Sequence, residues 1–420
     1  MGNKNHYDTI VVGGGAAGFF AAVNAARFRP SSKVAILEKS GKVLSKVRVS
    51  GGGRCNVTHA CFDNRELVKF YPRGEKELRG AFSRFSVDQT IEWFEERGVE
   101  IKTEEDGRMF PVTDNSETIA QCLLKEAEKY HVEILLHADV KKIIKEKAAF
   151  SLTINTDEKI SCGKLLIAAG GFSKSEGYEF IRNAGHTIIP PVPSLFTFNM
   201  PSNPVKELMG VSVQHAEVKI KNSAIATEGP LLITHWGMSG PAVLKASAWG
   251  ARNLAEMNYR FSSNINWLPG KNSDQIFEEL KKSKSVFNNQ FVSGNNPFHI
   301  PKRLWIFLLA KCKIENEKRW PDLSHKELRA LAGQLMNDAY EVHGKTTFKE
   351  EFVTCGGVSL EEINFKNMES KIVAGLFFAG EVLDIDGVTG GFNFQAAWTT
   401  AWLAANGMTE QSREPGTKTL

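Results

Sequence analysis

The chain has 420 residues, 42% hydrophobic and 24% charged. That is enough apolar material for two or three packed domains, and it excludes a disordered chain. A net charge of +4 over this length is too small and too scattered to imply a nucleic-acid partner. Cysteines 55, 61, 122, 162, 312 and 355 form no C-x-x-C, so neither a zinc site nor a disulfide framework is suggested. Cys55 and Cys61 read as two unrelated buried thiols, not as a redox pair. With no signal peptide and no apolar run of membrane length, a reducing cytoplasm is the expected compartment.

Asp8-Thr-Ile-Val-Val-Gly13-Gly-Gly15-Ala16-Ala17-Gly18 opens as a strand running into a glycine turn. Its β-branched run suits a buried parallel strand. Gly13 permits the tight turn, Gly15 lets backbone approach a pyrophosphate, and Gly18 allows close helix–strand packing. A helix from about Ala16 to Arg27 then directs its N-terminal N–H groups at the phosphates. The next strand, Lys33–Glu38, ends in an acid 20 residues after Gly18, the spacing at which a carboxylate reaches ribose hydroxyls. Lys39 follows directly. This arrangement fits FAD or NAD equally.

Lys46-Val-Arg48-Val-Ser50-Gly51-Gly52-Gly53-Arg54-Cys55-Asn56-Val-Thr58 comes next. It reads as a loop whose three glycines and two arginines offer N–H groups and charge to a phosphate or flavin edge. Val140–Ile144, Ala149–Ile154 and Lys159–Cys162 read as an antiparallel meander, followed by a buried strand from Gly163 to Ala169-Gly170-Gly171. After Gly185 the alternation of strand and helix stops, at Pro190-Pro-Val-Pro193. Ala216–Lys221 and Pro230–Thr234 then read as strands of a barrel or sandwich. Ser239-Gly-Pro241 begins a helix with Ser239 as N-cap.

From Asn272 the pattern is helical: Asp274–Lys282, Pro301–Ala310, and a helix opened by a Ser324/Glu327 capping box. The Leu304–Leu309 run reads as the core of this insert. Strand signals resume at Thr346–Phe348, and the tail after Gly407 reads as disordered. His235, at the end of a strand, is the side chain best placed to give or take a proton, although a histidine held in a tight turn fits equally.

The C-terminal motif, Gly380-Glu381 through Asp384, Asp386, Thr389, Gly390-Gly391-Phe392-Asn393, decides between the nucleotides. Glu381 ends a strand where a carboxylate can hold a ribityl chain. The helix from Phe394 to Trp402 points its positive end at the flavin N1–C2=O edge. An effect of about 1 kcal/mol there would raise a two-electron potential by roughly 20 mV. NAD needs no such second site. FAD bound non-covalently is therefore the expected cofactor, with NAD(P)H as a transient electron donor. The expected FAD contacts are Gly13, Gly15, Ala16, Ala17, Gly18, Glu38, Lys39, Lys46, Ser50–Asn56, Val140, Ala169–Gly171, Gly380, Glu381, Asp386, Gly391, Phe392 and Asn393.

Arg48–Thr58 resembles the signature of the BaiN-type, aminoacetone-oxidase-like flavoproteins. So do Gly107–Pro111, Thr234-His-Trp-Gly-Met-Ser-Gly-Pro241, Val353–Val358, and the stretch from Met368 to Asn393. The resemblance implies an α/β, glutathione-reductase-type FAD domain (residues 1–186 and 353–420). It also implies an inserted β-barrel (187–270 and 337–352) and a small helical insert (271–336). The activity it implies is NAD(P)H-linked reduction of a small or steroid-like substrate through flavin N5. Amine oxidation with oxygen is the alternative, and an RNA-modification or partner protein is a further one. The partner is accordingly a small molecule, with no nucleic acid, no membrane and an open oligomeric state.

Overall fold

The computed structural model describes residues 6–346 and 353–409. The chain divides into two compact units, residues 1–193 with 349–420, and residues 194–348.

In the first unit the apolar run predicted at the N-terminus is strand β1 (His6–Val12), followed by helix α1 (Ala16–Phe28) and β2 (Val34–Leu37). A short helix α2 (Ser45–Gly53) follows, and β3 (Glu133–Leu135) joins the sheet edge. Strands β4 (Val140–Lys145), β5 (Phe150–Ile154) and β6 (Glu158–Ile167) complete the set before the second unit. The strand Leu376–Phe378 and the helix Phe392–Thr409 return from the C-terminal part of the chain. Parallel pairing runs Leu376–Phe378, β6, β1, β2, β3, with Phe378, Ile167, Val12, Leu37 and Leu135 in one row. A sheet of this kind is buried on both faces, which is why β2 is apolar throughout.

The expected meander differs in one respect. Lys159–Cys162 and the following apolar run are one strand, β6. Its first half pairs antiparallel with β5 (Phe150 with Cys162), while its second half pairs parallel with Leu376–Phe378. Gly163 lies mid-strand and reads locally as a break, but partners on both edges carry the strand through it.

α1 is buried along almost its whole length against the C-terminal helix, with the Phe20 and Trp398 rings 5.2 Å apart. The C-terminal helix starts two residues earlier than predicted and runs to Thr409, because that apolar packing extends it past Gly407. The rest of the expected disordered tail, 410–420, lies outside the described residues.

The second unit has a seven-stranded antiparallel sheet that closes on itself as the expected barrel does, because Asp338–His343 pairs with Arg260–Asn266 and the continuing Lys345–Thr346 pairs with Thr197–Asn199. Its described strands form one path from Asp338–His343 to Lys345–Thr346. The strands predicted at 216–221 and 230–234 extend over Ser212–Ile220 and Ala226–Ile233. Thr347 and Phe348, expected to continue a strand, lie outside the described residues. The three predicted helices are Ser273–Val286, Lys302–Lys311 and His325–Met336, the last opened by the Ser324/Glu327 capping box. Leu304, Leu308 and Leu309 are buried in one core with sheet residues such as Val218 and Ile265. The helix after Ser239 starts at Pro241 with Gly240 as its N-cap. Ser239 pairs with Leu232 in a strand, so its hydroxyl does not cap.

Candidate functional site

The site is built at the ends of β1, β2, β6 and Leu376–Phe378, where open parallel sheets hold their ligands. Gly13 has φ +113°, and a Cβ there would lie 2.3 Å from the Ala168 carbonyl oxygen, at the point where β1 meets β6. A Cβ on Gly18 would lie 1.9 Å from the Gly13 oxygen, so the helix sits directly on the turn. Gly15 differs: a Cβ there meets nothing within 4 Å. This open space borders the N-terminus of α1, at Ala16 and Ala17, and is the kind of cradle a pyrophosphate fills. Glu38 holds the turn, accepting from Gly14 N–H at 2.8 Å and from Ser40 N–H at 2.8 Å. Lys39 is exposed and lies over the Phe172 ring.

The stretch predicted as a loop is the helix α2, which breaks at Ser50 (ψ 150°) into three left-handed glycines, Gly51, Gly52 and Gly53. Only glycine takes three such residues without steric cost. Gly52 and Gly53 face open space. Both arginines, expected to offer charge to a ligand, are engaged with carboxylates. Arg48 pairs with Glu117 at 2.8 Å, and Arg54 pairs with Glu104 at 2.5 Å while stacking on Phe110. Cys55 is fully buried, and burial pushes its thiol up to about 12, which leaves it unreactive. Cys61 is half-buried, not buried as expected. Asn56, with its amide oxygen toward Gly391 N–H at 3.0 Å, ties this segment to the C-terminal motif.

Thr354 has a fully buried hydroxyl with no hydrogen-bond partner among the described residues. Such a group is costly unless something else satisfies it. It faces Gly171, where a Cβ would lie 2.4 Å from Thr354 Oγ1 and 2.9 Å from Glu381 Oε1. Glu381 accepts from Thr354 N–H at 2.9 Å and pairs with Lys46 at 2.7 Å. Lys46, Gly171, Thr354, Gly380 and Glu381 thus converge from four chain segments, next to Ala169 and the open-sided Gly170. This polar cluster and the Gly15 cradle fit a long, phosphate-bearing nucleotide such as FAD. Thr354 was not singled out from the sequence; its position just before Cys355-Gly356-Gly357 was the available signal.

Other expected contacts have structural roles. Val140 is buried at the start of β4. Asp386 is fully buried and paired with Arg73. Phe392 is buried, stacked 4.4 Å from Phe70 and 4.6 Å from His59. Asn393 closes its own loop, accepting from Gly387 N–H and donating to Gly387 O, each at 2.9 Å. Gly391 has φ +98°, and a Cβ there would lie 2.4 Å from the Thr58 oxygen. His59, which sequence reading passed over, bonds to the Gly390 oxygen at 3.0 Å. Among the described residues no group of three His, Cys, Asp or Glu side chains is arranged to hold a metal ion. No described helix is long and apolar enough to cross a membrane.

His235 belongs to the second unit. It is exposed at the turn between Ala226–Ile233 and Gly237–Ser239, its ring 4.3 Å from that of Trp236.

The chain matches the family model described as the HI0933-like protein Rossmann domain over residues 7–407. It is 30% identical to "Ribosomal RNA dihydrouridine synthase" of Escherichia coli K12, across 95% of this chain and 97% of that one. It is 27% identical to "3-dehydro-bile acid delta(4,6)-reductase" of Clostridium scindens, across 96% and 98%. Among solved structures, the 3-ketosteroid-delta4-(5alpha)-dehydrogenase of Rhodococcus jostii RHA1 superposes with a TM-score of 0.51 at 12% identity. That overlap covers 97% of this chain and 98% of the dehydrogenase, and it shows a shared fold. The chain belongs to the HI0933-like Rossmann family and is an FAD-dependent oxidoreductase.

Proposed function

We propose that the chain saturates a carbon–carbon double bond conjugated with a carbonyl, in a uracil ring of RNA, with NAD(P)H as the electron source. Both named relatives carry reactions of this type, one producing dihydrouridine and the other reducing a delta(4,6) bile acid. The observation that favours RNA is a charge split hidden in the total of +4. Residues 194–348 hold 19 Lys and Arg against 13 Asp and Glu, a net +6, which leaves −2 for the rest. A positive unit attracts a polyanion and speeds its capture.

FAD, when bound, supplies two-electron hydride chemistry. The protein's part is to hold and orient. The Gly15 turn and the α1 N-terminus take phosphate, and Lys46, Thr354 and Glu381 offer charge and hydrogen bonds along the chain of the cofactor. The N-terminus of the Phe392–Thr409 helix favours negative charge beside it by about 1 kcal/mol. We keep residues 271–336 as a helical insert within the substrate unit. His235 remains the proposed proton donor. His235→Ala is expected to lower turnover and remove one limb of the pH–rate profile, and an unchanged profile would end that role.

A steroid-like acid is the second reading, favoured by the 27% identity to the bile acid reductase. The deciding experiment is an anaerobic spectrum of the holoprotein before and after NADH or NADPH, followed by addition of substrate. Bleaching that is reversed by a uridine-containing RNA supports the proposal. Reversal only by a conjugated enone acid moves the steroid reading forward. A flavin that ignores both nicotinamides but bleaches with amines replaces reduction by amine oxidation.

A further inference from the structure

We infer that the Thr234–Gly237 turn is a stacking platform for a base of single-stranded RNA; this rests on the RNA reading above. The turn is rigidly built. Thr234 N–H donates to Gly237 O at 2.8 Å, and Gly237 N–H donates back to Thr234 O at 3.2 Å. Met200 N–H donates to Trp236 O at 2.8 Å, and a Cβ on Gly237 would lie 2.3 Å from Phe198 O, so the tip is fastened to the strand Thr197–Asn199. A backbone so fixed still presents its two aromatic side chains to solvent. Trp236 is 42% exposed, His235 is exposed, and the rings lie 4.3 Å apart.

Beside them is an open cleft of about 500 Å³ lined by the Pro201–Pro204 segment, Lys206, Glu207 and His235. Lys206 Nζ donates to Pro201 O, which places its charge at the cleft wall. Arg303 bonds to the Glu207 and Met209 carbonyls, adding a second cation to the same segment. An exposed aromatic flanked by cations is what single-strand binding uses: the ring stacks a base of any identity and the cations track the phosphates. The net +6 of residues 194–348 matches a polyanion.

The test is binding of a fluorescein-labelled oligouridylate to the FAD-loaded protein, followed by anisotropy over a range of salt. Base stacking contributes about 1–3 kcal/mol, so Trp236→Ala should weaken binding roughly 5- to 150-fold, whereas Trp236→Phe should keep most of it. Lys206→Gln should lower the salt slope by about 1. Thermal midpoint and FAD content report folding in each variant. Wild-type affinity in Trp236→Ala, or equal losses in the Ala and Phe variants, overturns the platform while leaving RNA as substrate. If the wild type itself binds no oligouridylate, yet a conjugated enone acid reoxidises its flavin, the RNA reading fails and the platform fails with it.

Discussion

Gly15→Val should yield a folded, soluble protein that is colourless, while Gly18→Ala should fail at the level of folding. The two glycines belong to one motif and are three residues apart, but their surroundings differ. At Gly15 φ is −92°, which any residue adopts, and beyond its chain neighbours no described residue places an atom within 4 Å of an added Cβ. The side chain therefore enters the space proposed for the pyrophosphate, and the N-cap change alters stability by less than about 1 kcal/mol. At Gly18 an added methyl would sit 1.9 Å from the Gly13 oxygen. Helix and turn must separate, and overpacking of this kind costs at least about 1–3 kcal/mol. Flavin absorbance per mole of protein and the urea midpoint separate the two effects. A yellow Gly15→Val holoprotein would break the assignment of that turn to FAD.

Asp386→Ala should destabilise the first unit by about 3–5 kcal/mol, the range for removing one partner of a buried ion pair. Asp386 has no exposed side-chain surface and Arg73 only 11%, so little water can solvate the guanidinium once the carboxylate is gone. The double variant Arg73→Met/Asp386→Leu should recover most of the loss, because it removes the buried charge as well. Urea unfolding followed by tryptophan fluorescence reads both. A loss below about 1 kcal/mol in the single variant would mean that the pair is hydrated, and Asp386 would return as a candidate ligand.

The Asp386 case shows where local reading stops. An aspartate in a glycine-rich turn near a cofactor motif looks like a ligand in sequence, and only its approach to Arg73, 313 residues away, gives it another role. Arg48 and Arg54 behave the same way, since the glutamates that engage them lie 69 and 50 residues on. Thr354 runs in the opposite direction. Its one local signal is the Cys355-Gly356-Gly357 that follows, and packing against Gly171 and Glu381 leaves its hydroxyl buried and, among the described residues, without a partner at the proposed cofactor site.

By itself the sequence determined what depends on near neighbours along the chain. That includes the β1–turn–α1 unit with its three glycines, the alternating and helical stretches of the second unit, and the Ser324/Glu327 capping box. Each follows from side-chain period, backbone permissiveness or a cap that closes within four residues. Tertiary structure alone decided which charges are neutralised and that β6 is one strand serving two kinds of pairing. These are set by contacts between segments tens to hundreds of residues apart, where hydrogen-bond partners and burial are fixed by packing and leave no local trace.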